Sequence, residues 1–163
     1  MTNETGDFSV PFIAPVDGPA LALSQVPDPV FSRKMLGDGA AVEARGKTVY
    51  APVDGWLEMI FPTNHAFGIT TAAGLTVLVH IGVDTVELAG RGFTRLLEPG
   101  IRIKGGTPVI AIEPGVIASY GKSTATCVII TDMAPVAELN MTGQDILRGG
   151  RDILFVCTLK QIG

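Results

Sequence analysis

Short runs of β-branched and other apolar residues alternate along this chain with clusters of Gly, Pro, Asp and Asn. The runs at Thr48–Ala51, Trp56–Phe61, Ala66–Thr71, Leu75–Ile81, Pro108–Glu113, Thr126–Thr131 and Asp152–Leu159 predict strands. Turn signals punctuate them at Gly37-Asp38-Gly39, Gly46-Lys47, Ala73-Gly74, Glu98-Pro99-Gly100, Gly105-Gly106 and Gly149-Gly150. Helical periodicity is weak. Val83–Leu88 and Phe93–Leu97 allow a turn or two, and residues 114–124 a short helix after Pro114 that Gly115 and Gly121 weaken. The pentapeptide Ala14-Pro15-Val16-Asp17-Gly18 returns as Ala51-Pro52-Val53-Asp54-Gly55. Pro presets φ and Asp-Gly supplies a turn, so each copy reads as strand, tight turn, strand. The expected fold is all-β: an antiparallel β-sandwich or barrel-sandwich hybrid with an internally duplicated motif and at most short helical turns. Residues 1–10 are expected to form a flexible arm, and residues 11–163 a single domain.

Composition narrows the function. Charged residues make up 17% of the 163 residues against 47% hydrophobic, which excludes a disordered acidic chain. The formal net charge is −4, with no basic stripe to neutralise phosphates, so a nucleic-acid partner is not expected. Gly numbers 20 and Pro 11, scattered without period, which argues against a helical bundle. The first residues are acidic and carry no basic and apolar leader, and no run of 18 apolar residues is present. A cytoplasmic location is the default expectation, with any membrane contact through a partner. Cys127 and Cys157 sit among apolar residues and read as two buried free thiols.

The chain has only two histidines, His65 and His80. A hairpin turning between Ala72 and Ala73 through a two- or four-residue loop would set His65 opposite His80, Phe67 opposite Leu78 and Ile69 opposite Thr76. A three-residue loop would slip the register by one and put the histidines on opposite faces. Thr63, two residues before His65, can orient that ring by a hydrogen bond. The Gly82 carbonyl, two residues after His80, can fix the other ring's tautomer. Asp84-Thr85-Val86-Glu87 fits a helix cap with Glu87 at its third position. Two imidazoles supply half a zinc site, and neither a nucleophile elbow nor a phosphate-binding loop is present. A histidine nucleophile toward phosphorus remains, neutral at pH 7 and able to carry a covalent phosphoryl group. No cofactor or resident metal is expected. Zinc completed by a partner's carboxylate stays open. So does a biotinyl- or lipoyl-type carrier, for which Lys47 is the loose candidate.

At these residues the sequence resembles the enzyme IIA domain of the glucose family of the bacterial phosphoenolpyruvate-dependent sugar phosphotransferase system. The match runs from Val26-Pro27-Asp28-Pro29-Val30-Phe31 through Gly37-Asp38-Gly39, the second pentapeptide, Thr63-Asn64-His65-Ala66-Phe67 and the stretch from His80 to Leu88 to Gly92-Phe93. It continues more weakly through residues 100–106 and becomes loose after Glu113. The resemblance implies a β-sandwich with an internal repeat. It implies that His80 accepts phosphate from HPr and donates it to a cysteine of a IIB domain. His65 would stabilise the phosphoryl group and Thr63 would orient it. Asp28 and Asp84 would be acidic residues at the partner face. Val30, Phe31, Met35, Leu36, Phe61 and Leu78 would form an apolar docking patch around the site. A regulatory role is the alternative, in which the unphosphorylated face binds transporters or metabolic enzymes. Pro62, Gly68 and Leu78 depart from better-known members. The sugar and the permease are not legible.

Overall fold

A computed structural model describes residues 8–161 of the chain. Its strands are β1 (Phe8–Ile13), β2 (Gly18–Ala22), β3 (Asp38–Glu43), β4 (Thr48–Tyr50), β5 (Gly55–Ile60), β6 (Ala66–Thr70), β7 (Thr76–Ile81), β8 (Phe93–Arg95), β9 (Ile101–Ile103), β10 (Pro108–Ile112), β11 (Ala125–Ile130), β12 (Val136–Met141), β13 (Ile146–Leu147) and β14 (Ile153–Leu159). Two helices, α1 (Pro29–Ser32) and α2 (Pro114–Ser119), and two 3-10 turns at Leu23–Gln25 and Thr85–Leu88 complete the described elements. Both helices begin on proline, whose fixed φ suits a first helical position. One sheet runs β13-β2-β3-β11-β7-β6-β5-β9, and two smaller ones run β1-β14-β12 and β4-β10-β8. Neighbouring strands pair antiparallel throughout.

The duplicated pentapeptides bind one another as near-equivalents. The Ile13 amide donates to the Pro52 carbonyl at 2.7 Å, and the Tyr50 amide donates to the Pro15 carbonyl at 2.7 Å. Each Asp side chain then holds a glycine pair. Asp17 Oδ1 accepts from the Gly149 amide at 2.7 Å, and Asp54 Oδ1 accepts from the Gly105 amide at 2.7 Å. The next glycines, Gly150 and Gly106, donate to the Ala14 and Ala51 carbonyls at 2.9 and 2.8 Å. A side chain is not tolerated at Gly149, where a Cβ would lie 2.6 Å from the Val16 Cα. The two Gly-Gly signals are therefore the second half of the repeated unit as well as turns.

All seven predicted strands are present, within a residue or two at their ends. The strands not foreseen include β3, whose Gly and two Ala carry little β-propensity and which is fixed by pairing with β2 and β11. Phe93–Arg95 is strand β8 rather than a helical turn, because it pairs with Ile110–Ile112. Phe8–Val10, counted above with a flexible arm, pair with Leu159, Thr158 and Cys157, so the ordered part begins earlier than residue 11. The rest of that arm lies outside the described residues.

The main core packs the inner faces of the sheets together, with Phe12 and Phe155 stacked at 4.7 Å between centroids. A second cluster lies on the opposite face of β11. There Cys127 and Ile129 are covered by Leu23, Val26 and Phe31. Strand β11 is thus buried on both faces, which explains its continuous apolar run. The segment that covers it also delivers Phe31 to His80. Both cysteines are buried and free, and burial raises their thiols to about 12 for Cys127 and about 11 for Cys157. Among the described residues no helix is long and apolar enough to cross a membrane.

Candidate functional site

The two histidine rings meet, by a route that differs from the predicted one. The β6–β7 turn closes with three residues between Thr71 and Leu75, and Gly74 lies at φ +86°. That is a three-residue hairpin loop with glycine in the left-handed position. The register is accordingly slipped by one: Ala66, not His65, lies opposite His80, and Gly68 lies opposite Leu78. By strand alternation alone His65 would face away. It does not: the residue before it, Asn64, takes a left-handed conformation at φ +62°, outside regular strand geometry. The rings lie edge to face with centroids 5.1 Å apart. The signal for this was Asn64 itself, since Asn is among the few residues that enter the left-handed region readily.

Each ring is anchored through Nδ1. Thr63 Oγ1 lies 2.5 Å from His65 Nδ1, and His80 Nδ1 lies 2.9 Å from the Gly82 carbonyl oxygen. A carbonyl only accepts, so the His80 Nδ1 carries the proton and its Nε2 keeps a lone pair. Gly82 sits at φ +75°, and a Cβ there would meet the Thr85 Cγ2 at 2.5 Å, so glycine is required. His65 is 4% exposed, and burial, with a smaller contribution from His80, lowers its pKa from 6.5 to about 4. Burial also lowers His80, opposed by the Gly82 hydrogen bond and by the Asp28 and Asp84 carboxylates. Both rings are neutral at pH 7.

A buried neutral histidine binds fewer protons folded than unfolded, so its contribution to stability is present above pH 6.5 and is lost as pH falls toward about 4. We expect the urea-unfolding free energy to fall across that window by on the order of 2 kcal/mol on account of His65. In His65→Gln the pH slope should shrink. An unchanged slope in that variant would rule out the buried ring as its source.

The structure gathers most of the named residues around this pair. Phe31 packs on His80 at 5.0 Å between centroids, and Phe61 meets His65 edge to face at 5.3 Å. Phe31 is 4% exposed, so it forms a wall of the site and part of the second core cluster rather than open surface. Val30, Leu36 and above all Met35, at 67%, are exposed, while Leu78 is half-buried. Asp28 caps α1 by accepting from the Val30 amide at 2.9 Å. Asp84 is exposed at φ +57° and makes no side-chain cap, and Glu87 instead pairs with Lys122 at 2.7 Å. The capping pattern marked where the 3-10 turn starts but not what its carboxylates bind.

One exposed apolar residue near the site was not singled out in the sequence. Exposed Met59 shares a cross-strand row with Gly68 and Leu78, next to the row that holds His80. The β5 bulge between Leu57 and Met59 reverses the alternation there and hides its facing from sequence. Among the described residues no three His, Cys, Asp or Glu side chains gather to hold a metal ion.

Comparison with known proteins identifies the family. The profile of a family described as "phosphoenolpyruvate-dependent sugar phosphotransferase system, EIIA 1" matches residues 10–136. The chain is 37% identical over 153 residues to the PTS system glucose-specific EIIA component of Haemophilus influenzae, covering 94% of this chain and 92% of that one. It is 46% identical over 129 residues to the PTS system glucose-specific EIICBA component of Streptococcus pneumoniae, covering 78% of this chain but only 18% of that protein. The structure of glucose permease IIA from Mycoplasma capricolum aligns with a TM-score of 0.85 at 33% identity, over 91% of this chain and 96% of that one.

Proposed function

The chain belongs to the EIIA 1 family of the phosphoenolpyruvate-dependent sugar phosphotransferase system, and from that membership we propose that His80 carries the phosphoryl group. As a member it is a phosphotransferase component that works with the other phosphotransfer proteins of the system. In our reading the donor is phospho-HPr, the acceptor is a cysteine of a IIB domain, and residues 11–163, together with Phe8–Val10 of β1, act as one domain. The relatives named for glucose are the ground for proposing a glucose-type sugar.

One observation carries this reading: a neutral His80 whose Nδ1–H is spent on the Gly82 carbonyl, beside a second ring 5.1 Å away. The free Nε2 lone pair attacks phosphorus. The N–P bond of phospho-HPr breaks as the His80 Nε2–P bond forms, and the proton stays on Nδ1, donated in its hydrogen bond to the Gly82 carbonyl. The ring then carries a delocalised positive charge, which Asp28 and Asp84 favour. That charge makes the imidazole a good leaving group when the IIB thiolate attacks. The Nε2–P bond breaks, an S–P bond forms, and His80 returns to neutral. With Thr63 donating to Nδ1, His65 holds its own proton on Nε2 as a donor for a phosphoryl oxygen. The apolar rim of Val30, Met35 and Leu36, with Leu78 and Phe61 nearer the rings, suits transient docking of two successive partners.

Incubation with phosphoenolpyruvate, enzyme I and HPr should load about one acid-labile, alkali-stable phosphate per chain, since one side chain is the acceptor. A purified IIB domain of a glucose-type permease should then remove it. A chain that takes no label would reject the reading.

A further inference from the structure

We propose that Arg95 and Asn64 form a brace that positions His65 for phosphoryl transfer. The inference deepens the function proposed above and rests on His65 acting there. Arg95 ends β8, in a different sheet from β6, which follows His65, and β7, which carries His80. Its guanidinium reaches the turn that leads into His65. Nε donates to the Asn64 Oδ1 at 2.8 Å, and Nη2 donates to the Phe61 carbonyl at 3.4 Å. Nη1 is held from the other side by Glu98 at 2.9 Å.

Asn64 does two things that few residues combine. It accepts this bond, and it supplies the left-handed backbone immediately before His65. Thr63, whose hydroxyl holds the His65 ring, lies inside the braced turn, and so does Phe61, which packs on that ring. A loosened turn would move all three together. His80 is set separately, by β7 and the Gly82 carbonyl, and no bond of the brace reaches it. The brace therefore belongs to the half of the site that holds the phosphoryl group, not to the nucleophile. Positional errors of an ångström cost up to about a hundredfold in such transfers.

The test separates the two half-reactions and follows His65 directly. In Arg95→Ala, uptake from phospho-HPr should stay within about twofold of wild type, while transfer to IIB falls about tenfold. Asn64→Gly keeps the left-handed backbone but removes the acceptor, and should reproduce the split if Arg95→Ala folds poorly. Asn64→Asp keeps both properties and should restore transfer. In the 15N-imidazole spectrum of the unphosphorylated chain, the His65 titration should move up from about 4 toward 6.5 in the first two variants. An unmoved His65 titration in Arg95→Ala and Asn64→Gly would overturn the brace, as would equal slowing of both half-reactions. If the wild-type chain takes no phosphate, the reading of His80 fails, and the His65 titration still decides the brace.

Discussion

His80→Ala is expected to abolish phosphorylation, leaving less than about a thousandth of the wild-type label after incubation with phosphoenolpyruvate, enzyme I and HPr. The effect is this large because no other side chain can substitute. His65, the second imidazole of the chain, has its Nδ1 engaged by Thr63 and is 4% exposed. The buried thiols have no accessible thiolate, with pKa values raised to about 12 and about 11. His80 is half-buried and belongs to neither core cluster, so the truncation removes little packing and the fold should be retained. Near-ultraviolet circular dichroism checks that point in the same preparation. Full labelling of this variant would place the phosphate elsewhere.

His65→Ala should behave differently. The attacking lone pair of His80 is fixed by Gly82, so the variant still takes phosphate from phospho-HPr, a partner that brings its own groups to that step. Once the phosphoryl group rests on His80, the donor provided by this chain is the His65 N–H. Loss of one such preorganised donor lowers rates by about a hundredfold to a thousandfold. Transfer to the IIB cysteine should fall by that factor, with labelled protein accumulating. Rapid-quench measurement of the two half-reactions gives the answer. Equal loss in both would mean that His65 serves acceptance as much as donation.

Much of this site was legible before the fold was known, and what was hidden had specific physical causes. The Thr63 and Gly82 hydrogen bonds follow from spacing, because residues two apart near a strand end can reach a ring nitrogen. The pairing of the histidines was expected from a loop length that the chain does not use. Thr71 and Gly74 close a three-residue turn, and the rings meet where the left-handed Asn64 interrupts regular strand geometry just before His65. Two local irregularities cancel, and strand periodicity sees neither. The Arg95 brace is separated from Asn64 by 31 residues and a change of sheet, so no local pattern announces it. Phe31 reads equally as core or rim from its apolar surroundings. The cover it provides for Cys127 and Ile129 decides the matter. In the fold, the pentapeptide repeat was plain in the sequence. Its glycine partners, Gly105-Gly106 and Gly149-Gly150, were visible as turns, but their bonds to Asp54 and Asp17 span 51 and 132 residues.

The most direct measurement is the position of the phosphorus on the ring. The chain is labelled with 15N-histidine and phosphorylated through HPr, and the 31P–15N coupling is read and assigned. Because Nδ1 of His80 keeps its proton and donates it to the Gly82 carbonyl, the coupling should be to Nε2 of His80, with Nδ1 uncoupled. Coupling to Nδ1 of His80, or to either nitrogen of His65, would contradict that assignment.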